Sequence, residues 1–330
     1  MSAGPSTLPP RRLLPLNMAA GYEISALVLD PGQCWTRAGF AGEGPPNILE
    51  PIWNPTKNRE KTVDFDVPAF YLARNAVCAG FAFGRSTALT VDVGAANIAV
   101  TPVNDRYVLK EGCQRQPIGG DFPSNQTRTH IANMGTSITP HYQVLSKVPV
   151  DVGKPEEHVL TELKECSAQA WPGPGPLPAT MPEGGVPSPE CRCHPFPDGY
   201  NMLFGLERFR MTEGIFTPRS SANIPHPYPE HTLGLKDMVF TAMKDVDVNT
   251  KQIIATGAGS LLYQFNERAL HELGITFPEP RVKMLASQLP VERRYATSTW
   301  LGGSVLASLG GFHQLWISKK EYEEHGTSPS

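Results

Sequence analysis

The sequence predicts an α/β protein with an internal duplication, in which two strand-and-glycine-turn units face one another. Three observations carry this. Residues 24–29 are a β-rich apolar run that ends in Asp30-Pro31-Gly32. Residues 88–91 are a second such run, ending in Asp92-Val93-Gly94. A third glycine turn, Gly257-Ala258-Gly259-Ser260, follows the short strand at 253–256. Short apolar runs bounded by turn residues read as buried strands, and glycine permits a tight turn that larger residues resist.

Between these units, Pro68 near the start and Gly84 at the end frame a helix over 70–83, with the usual order of helix punctuation. Residues 171–198 are too rich in proline and glycine for a regular element and read as a loop or insert. Amphipathic spacing predicts helices over 232–246 and 261–273. Near the C-terminus, Gly302-Gly303 precede an apolar helix over 304–312, and the charged residues 319–324 form a solvated helix face. Residues 1–21 read as a disordered leader ahead of a folded region over 22–330.

Composition excludes several functions. The chain has 330 residues, 40% hydrophobic and 18% charged, with a formal net charge of -3. That charged fraction lies below the usual value of about 25%, so direct electrostatic binding of nucleic acid is not expected. The six cysteines are scattered, with no secretory h-region ahead of them, and read as reduced thiols. No stretch approaches the run of about 18 apolar residues that a membrane span needs. Arg11-Arg12 are too few basic residues for a localisation signal. The cluster Cys191-Arg192-Cys193-His194 lacks the second ligand pair that structural zinc requires, so it reads as exposed thiols in a variable insert. His141-Tyr142 read as part of a packed loop.

The paired turns carry the chemistry. Backbone N–H groups in glycine turns can cradle phosphates, and a carboxylate can orient a hydrated divalent ion. One Asp-x-Gly alone is a hairpin turn. Two copies and a third glycine turn point to a nucleotide cleft.

Longer motifs specify a family. The run from Asp30 to Gly42 (DPGQCWTRAGFAG) and the stretch Asn54-Pro55-Thr56-Lys57-Asn58-Arg59-Glu60-Lys61 both resemble motifs of the actin family. Pro68-Ala69-Phe70-Tyr71, Gly84-Arg85-Ser86-Thr87, residues 300–309 (WLGGSVLASL) and 314–319 (QLWISK) follow in the family's order. Trp53, Ala95-Ala96, the 138–142 stretch, the 171–175 stretch and the 196–201 stretch depart from conventional actin. They resemble the family's nuclear actin-related branch in fungi. The resemblance implies an actin-like ATPase fold of duplicated ribonuclease-H-like domains. One lobe would comprise 22–84 and 295–330, and a second 85–294 with its insert at 171–198. It also implies a nuclear subunit of histone acetyltransferase and nucleosome-remodelling complexes, acting in transcription regulation and DNA repair. Its partners there would be nuclear actin, scaffold subunits and histones or nucleosomes, with no membrane contact. The implied cofactor is ATP with Mg2+.

On this resemblance, the nucleotide site takes Asp30, Gly32 and Arg37 from the first turn, with Arg37 in place of a phosphate-facing lysine. Gln33 and Cys34 replace a small Ser-Gly pair. Asp92 and Gly94 come from the second turn, Gly257, Ala258, Ser260 and Leu261 from the third, and Arg294 stands where a lysine approaches the adenine. Glu162 and Leu163 fall in the segment matched to a Lys-Glu pair near the base. Ala95, Ala99 and Asn75 stand where actin carries an aspartate, a histidine and a glutamine that arrange the attacking water and metal. Alanine supplies neither hydrogen bond nor charge, and phosphoryl transfer depends on positioning and charge. No residue is therefore assigned a catalytic or permanent metal-ligating role. The alternatives are an ATPase that still turns over and a cytoskeletal filament former.

One departure affects the whole family pattern. Where the family carries several tens of residues after Gly42, including the small subdomain overhanging the cleft, only residues 43–50 remain. A shorter gap follows Lys61. Intact signatures on both sides favour missed exons over a shortened paralogue.

Overall fold

In a computed structural model of the chain, the described residues are 25–49, 67–136, 155–173, 175, 177–180, 192–196, 199, 201–218, 232–244, 252–277, 282–286 and 298–325. The leader, Cys191, His141-Tyr142 and Arg294 lie outside them.

The two Asp-x-Gly units are hairpins of the same construction. Strand β1 (Leu27–Pro31) returns antiparallel as β2 (Thr36–Phe40), with Asp30 opposite Arg37. Strand β5 (Ala88–Val93) returns as β6 (Ile98–Asn104), with Asp92 opposite Ala99. In each turn the glycine N–H donates to the carbonyl three residues on. The distances are 2.9 Å for Gly32 to Trp35 and 3.0 Å for Gly94 to Asn97. The duplication is thus repeated in the hydrogen bonds as well as the residues.

Strand β3 (Asn47–Leu49) extends the first hairpin to a three-stranded sheet, β1-β2-β3. The second hairpin lies inside a mixed six-stranded sheet of order β12-β11-β5-β6-β7, with β8 (Gln114–Gln116) also on β6. Here β7 is Tyr107–Val108, β11 is Gln252–Thr256 and β12 is Lys283–Ala286, and β11 runs parallel to both β5 and β12. Parallel strands buried on both faces read as continuous apolar runs, and Ala88, Leu89, Thr90 and Val91 are all buried. Their core joins Leu89, Val91, Ile98, Ile118, Phe122, Ile253 and Phe265. Each large apolar side chain so buried contributes about 1.5–3 kcal/mol.

Several element boundaries differ from the sequence reading. The predicted helix over 70–83 begins later, as α1 (Asn75–Ala82), and ends at Gly84 with φ +63°. Ala69–Phe70 instead form β4, paired with β13 (Ile317–Ser318) from the far end of the chain. Phe70 also packs edge-on against Tyr322 at 5.2 Å. That pairing, invisible to local spacing, takes the first residues away from the helix.

The insert is partly regular. Trp171 and Phe196 are buried, and β9 (Arg192–Pro195) pairs antiparallel with β10 (Asn201–Phe204). Burial of two aromatic rings outweighs the local preference of proline and glycine for open loops.

Helix α2 spans Asp121–Asn133, α3 Pro155–Ser167 and α4 Glu207–Phe216. The helix expected over 232–246 is α5, Leu235–Lys244. The one expected over 261–273 splits into a 3-10 turn at Ala258–Leu261 and α6 at Phe265–Thr276. Gln264, at φ +63°, breaks the two apart. Near the C-terminus α7 begins early, at Ser298, and runs to Ala307, so Gly302 and Gly303 lie within it. The close of the predicted 304–312 helix is a separate 3-10 turn, Phe312–Leu315. The charged end forms α8, Lys319–His325, with residues 319–324 exposed as expected.

Candidate functional site

The first turn brings Asp30 and Arg37 into an ion pair of 3.3 Å. Burial nevertheless pushes the Asp30 carboxyl above its ordinary value, and Arg37 only partly offsets it. Asp92 is pushed up to about 6, chiefly by burial and then by the charge of Asp30, with Arg37 and Arg115 opposing. The two carboxylates of the duplicated hairpins therefore feel one another. Asp30, Arg37 and Asp92 form one electrostatic cluster.

The third glycine turn seals against this cluster. Gly257 has φ +82°, and a Cβ there would lie 2.5 Å from Asp92 Oδ1. Only glycine serves both the conformation and the contact. The Ser260 hydroxyl donates to the Gly257 carbonyl at 2.7 Å. Ala258 is exposed and Leu261 half-buried on the same turn.

Residues missed by the sequence reading complete the cleft. Gly120 N–H donates to the Gly94 carbonyl at 2.8 Å, and Asp121 N–H to the Ala95 carbonyl at 2.8 Å. Gly119, Gly120 and Asp121 thus carry the start of α2 onto the second turn. Lys164 donates to the Gly120 carbonyl at 3.1 Å. Burial lowers the pKa of its ammonium, while Asp121, Cys34 and Glu165 raise it. The Lys-Glu pair beside the cleft is therefore Lys164-Glu165. Glu162 is exposed and Leu163 is fully buried in an apolar cluster. A glycine pair following a strand and opening a helix is a signal that could have found Gly119-Gly120-Asp121. Lys164 has no such local mark.

The arrangement suits an anionic ligand with a divalent counter-ion. Among the described residues, the main-chain N–H groups of Gln33, Ala95 and Ala96 have no protein acceptor. Such turn amides are what phosphate cradles are made from. Asp30 and Asp92 are half-buried carboxylates destabilised in their charged forms, the condition that a hydrated cation relieves. The groups that could drive turnover are another matter. Ala99 presents a methyl group directly across the strand from Asp92, and Asn75 is exposed at the start of α1. Among the described residues no cluster of three or more histidine, cysteine or carboxylate side chains could hold a bare metal ion. None of their helices is long and apolar enough to cross a membrane.

Asp92 gives a pH test of the cleft. Its folded pKa lies above the usual carboxylate value, so its stabilising contribution is present in acid and is lost as pH rises through about 6. Between pH 7.5 and pH 5 the ligand-free protein should gain about 1 kcal/mol from this group. Urea unfolding at the two pH values should show that gain, and Asp92→Asn should abolish the part that Asp92 supplies.

A mixed α/β fold with paired Asp-x-Gly hairpins closing on a third glycine turn defines an actin-like cleft. The actin family's profile matches residues 48–329, and the chain belongs to that family. Within it, the similarity is to actin-related protein 4. The protein of that name from Emericella nidulans is 43% identical over 330 residues, covering 86% of this chain and 69% of its own length. That from Gibberella zeae is 37% identical, over 86% of this chain and 67% of its own. The Schizosaccharomyces pombe protein is 30% identical over 425 aligned positions, covering 93% of this chain and 96% of its own.

Proposed function

We propose that the chain is a non-catalytic, nuclear actin-related subunit of chromatin-modifying complexes, holding ATP with Mg2+ as a structural ligand. The observation that carries the non-catalytic part is Ala99 opposite Asp92. A water attacking a phosphate needs a group to orient it, and a methyl group at this position supplies none. Phosphate cradling survives, because it rests on backbone amides. A ligand that binds only the folded form adds stability by mass action, and this gives a nucleotide a use without turnover. The chromatin assignment is supported by similarity to proteins named actin-related protein 4. Asp30, Gly32, Arg37, Asp92, Gly94, Gly257, Ala258, Ser260 and Leu261 are the proposed ligand contacts, with Arg294 beyond the described residues.

One observation favours the second reading, an active ATPase. A half-buried Asp92 with a pKa of about 6 has the profile of a general base. The nucleotide's cation would draw that value back down, which argues for binding over catalysis. Affinity purification of the tagged chain from nuclear extract tests the assignment. Co-purification of acetyltransferase and remodeller subunits is the expected result, and their absence would sink it.

A further inference from the structure

We propose that the open edge of β1 docks a second copy of this chain, the two β1 strands pairing antiparallel about a two-fold axis at Val28. The apolar run that ends in β1 reads as a buried strand, yet among the described residues β2 is its only partner. Ala41 N–H donates to the Ala26 carbonyl and Gly32 N–H to the Trp35 carbonyl, each at 2.9 Å. Opposed residues of an antiparallel ladder alternate between bonded and non-bonded pairs. Ala26, Val28 and Asp30 therefore bond to β2, and the main-chain groups of Leu27 and Leu29 face the open edge. Neither leucine has another hydrogen-bond partner among the described residues. From Leu27 to Leu29 no charge, bulge or proline blunts the edge, as folded proteins commonly arrange. The opposite edge of the sheet, β3, is three residues long and follows Pro45-Pro46.

The β1 edge is complementary to itself. An axis through Val28 sets Leu27 opposite the partner subunit's Leu29, and Leu29 opposite the partner subunit's Leu27. Each such pair exchanges both of its outward main-chain hydrogen bonds. Shifting the axis toward the C-terminus would bring in Pro31, which has no N–H to give. Asp30 falls opposite the partner subunit's Ala26, so no like charges meet. The side chains agree with this register. Val28 faces α7, where a Cβ on Gly303 would lie 3.0 Å from its Cγ1. Leu27 and Leu29 therefore share the other face of the sheet. There Leu27 lies opposite Phe40, and the two are 46% and 42% exposed. Pairing continues this apolar row from Phe40 through Leu27 to the partner subunit's Leu29. A two-fold contact closes on itself, so it gives a dimer and not a filament.

Sedimentation equilibrium of the full chain is the test. One short strand edge is much smaller than a standard interface of about 1,600 Å2. The expected result is therefore a reversible monomer–dimer equilibrium with a midpoint on the order of 10–100 μM. Leu27→Pro removes an N–H that β2 does not use, and should weaken dimerisation about tenfold or more. Leu27→Lys, at an exposed position, should do the same by placing a charge on the edge. Both variants should keep the thermal midpoint of the dilute wild-type chain. Val28→Cys reads the register, because residue 28 meets itself across the axis as a non-bonded pair about 4.5 Å apart, within reach of a disulfide. Mild oxidation should cross-link that variant into a dimer and leave wild type, with its native cysteines, uncross-linked. A chain that stays monomeric to about 200 μM would overturn the proposal. So would a dimer that both Leu27 variants leave unchanged, or a Val28→Cys variant that does not cross-link.

Discussion

Replacing Arg268 with alanine should remove about 3–5 kcal/mol of stability, because it strands a buried carboxylate. The Arg268 side chain is 1% exposed and donates to Glu272 at 2.7 Å and to Glu213 at 3.2 Å. It also donates to the Trp171 carbonyl at 3.3 Å and lies 5.4 Å from the Phe216 ring centre. One side chain therefore ties α6 to α4 and to the buried start of the insert. Burial already pushes the Glu213 carboxyl above its ordinary value, with Arg268 opposing. Without Arg268 the shift grows, and Glu213 folds better protonated. The variant should therefore recover part of its lost stability as pH falls, more than wild type does. Urea unfolding across pH measures this. A loss below about 1 kcal/mol, as for an exposed pair, would show that the network is dispensable.

Gly302→Ala should cost about 3 kcal/mol, at the upper end of overpacking penalties. A Cβ at 302 would run into the backbone carbonyl of Cys78 on α1, an atom that no rotamer change can move aside. The two helices meet at that glycine, so separating them also disturbs Trp300. The Trp300 indole donates to the Val28 carbonyl on β1 at 3.1 Å. Gly310→Ala is the control, since nothing lies within 4 Å of the added methyl. It should change the thermal midpoint little, whereas Gly302→Ala should lower it by several degrees. Equal effects would mean that the α1–α7 contact is looser than its geometry implies.

These two sites also show where sequence reasoning works and where it stops. The hairpins were legible because their determinants are local: a strand, an aspartate and a glycine within a few residues. By spacing Gly302 and Gly303 read as punctuation, yet they lie inside a helix and serve its packing. Sequence spacing does not distinguish a glycine that ends a helix from one that lets another backbone approach. The helix expected from residue 70 was shortened by a strand partner almost 250 positions away, at Ile317–Ser318. In the cleft, Asp30, Gly32, Arg37, Asp92, Gly94 and Gly257 follow from motifs. Lys164 does not, because the folding of α3 against the start of α2 brings it to the Gly120 carbonyl.

The central claim is a cleft that retains its nucleotide-cradling backbone while lacking the groups that orient an attacking water. The most direct measurement loads the purified chain with excess Mg2+ and γ-labelled ATP, then follows bound label and released phosphate together. Bound label with no release above the spontaneous background is the predicted result. Release at a rate comparable with actin would contradict the claim.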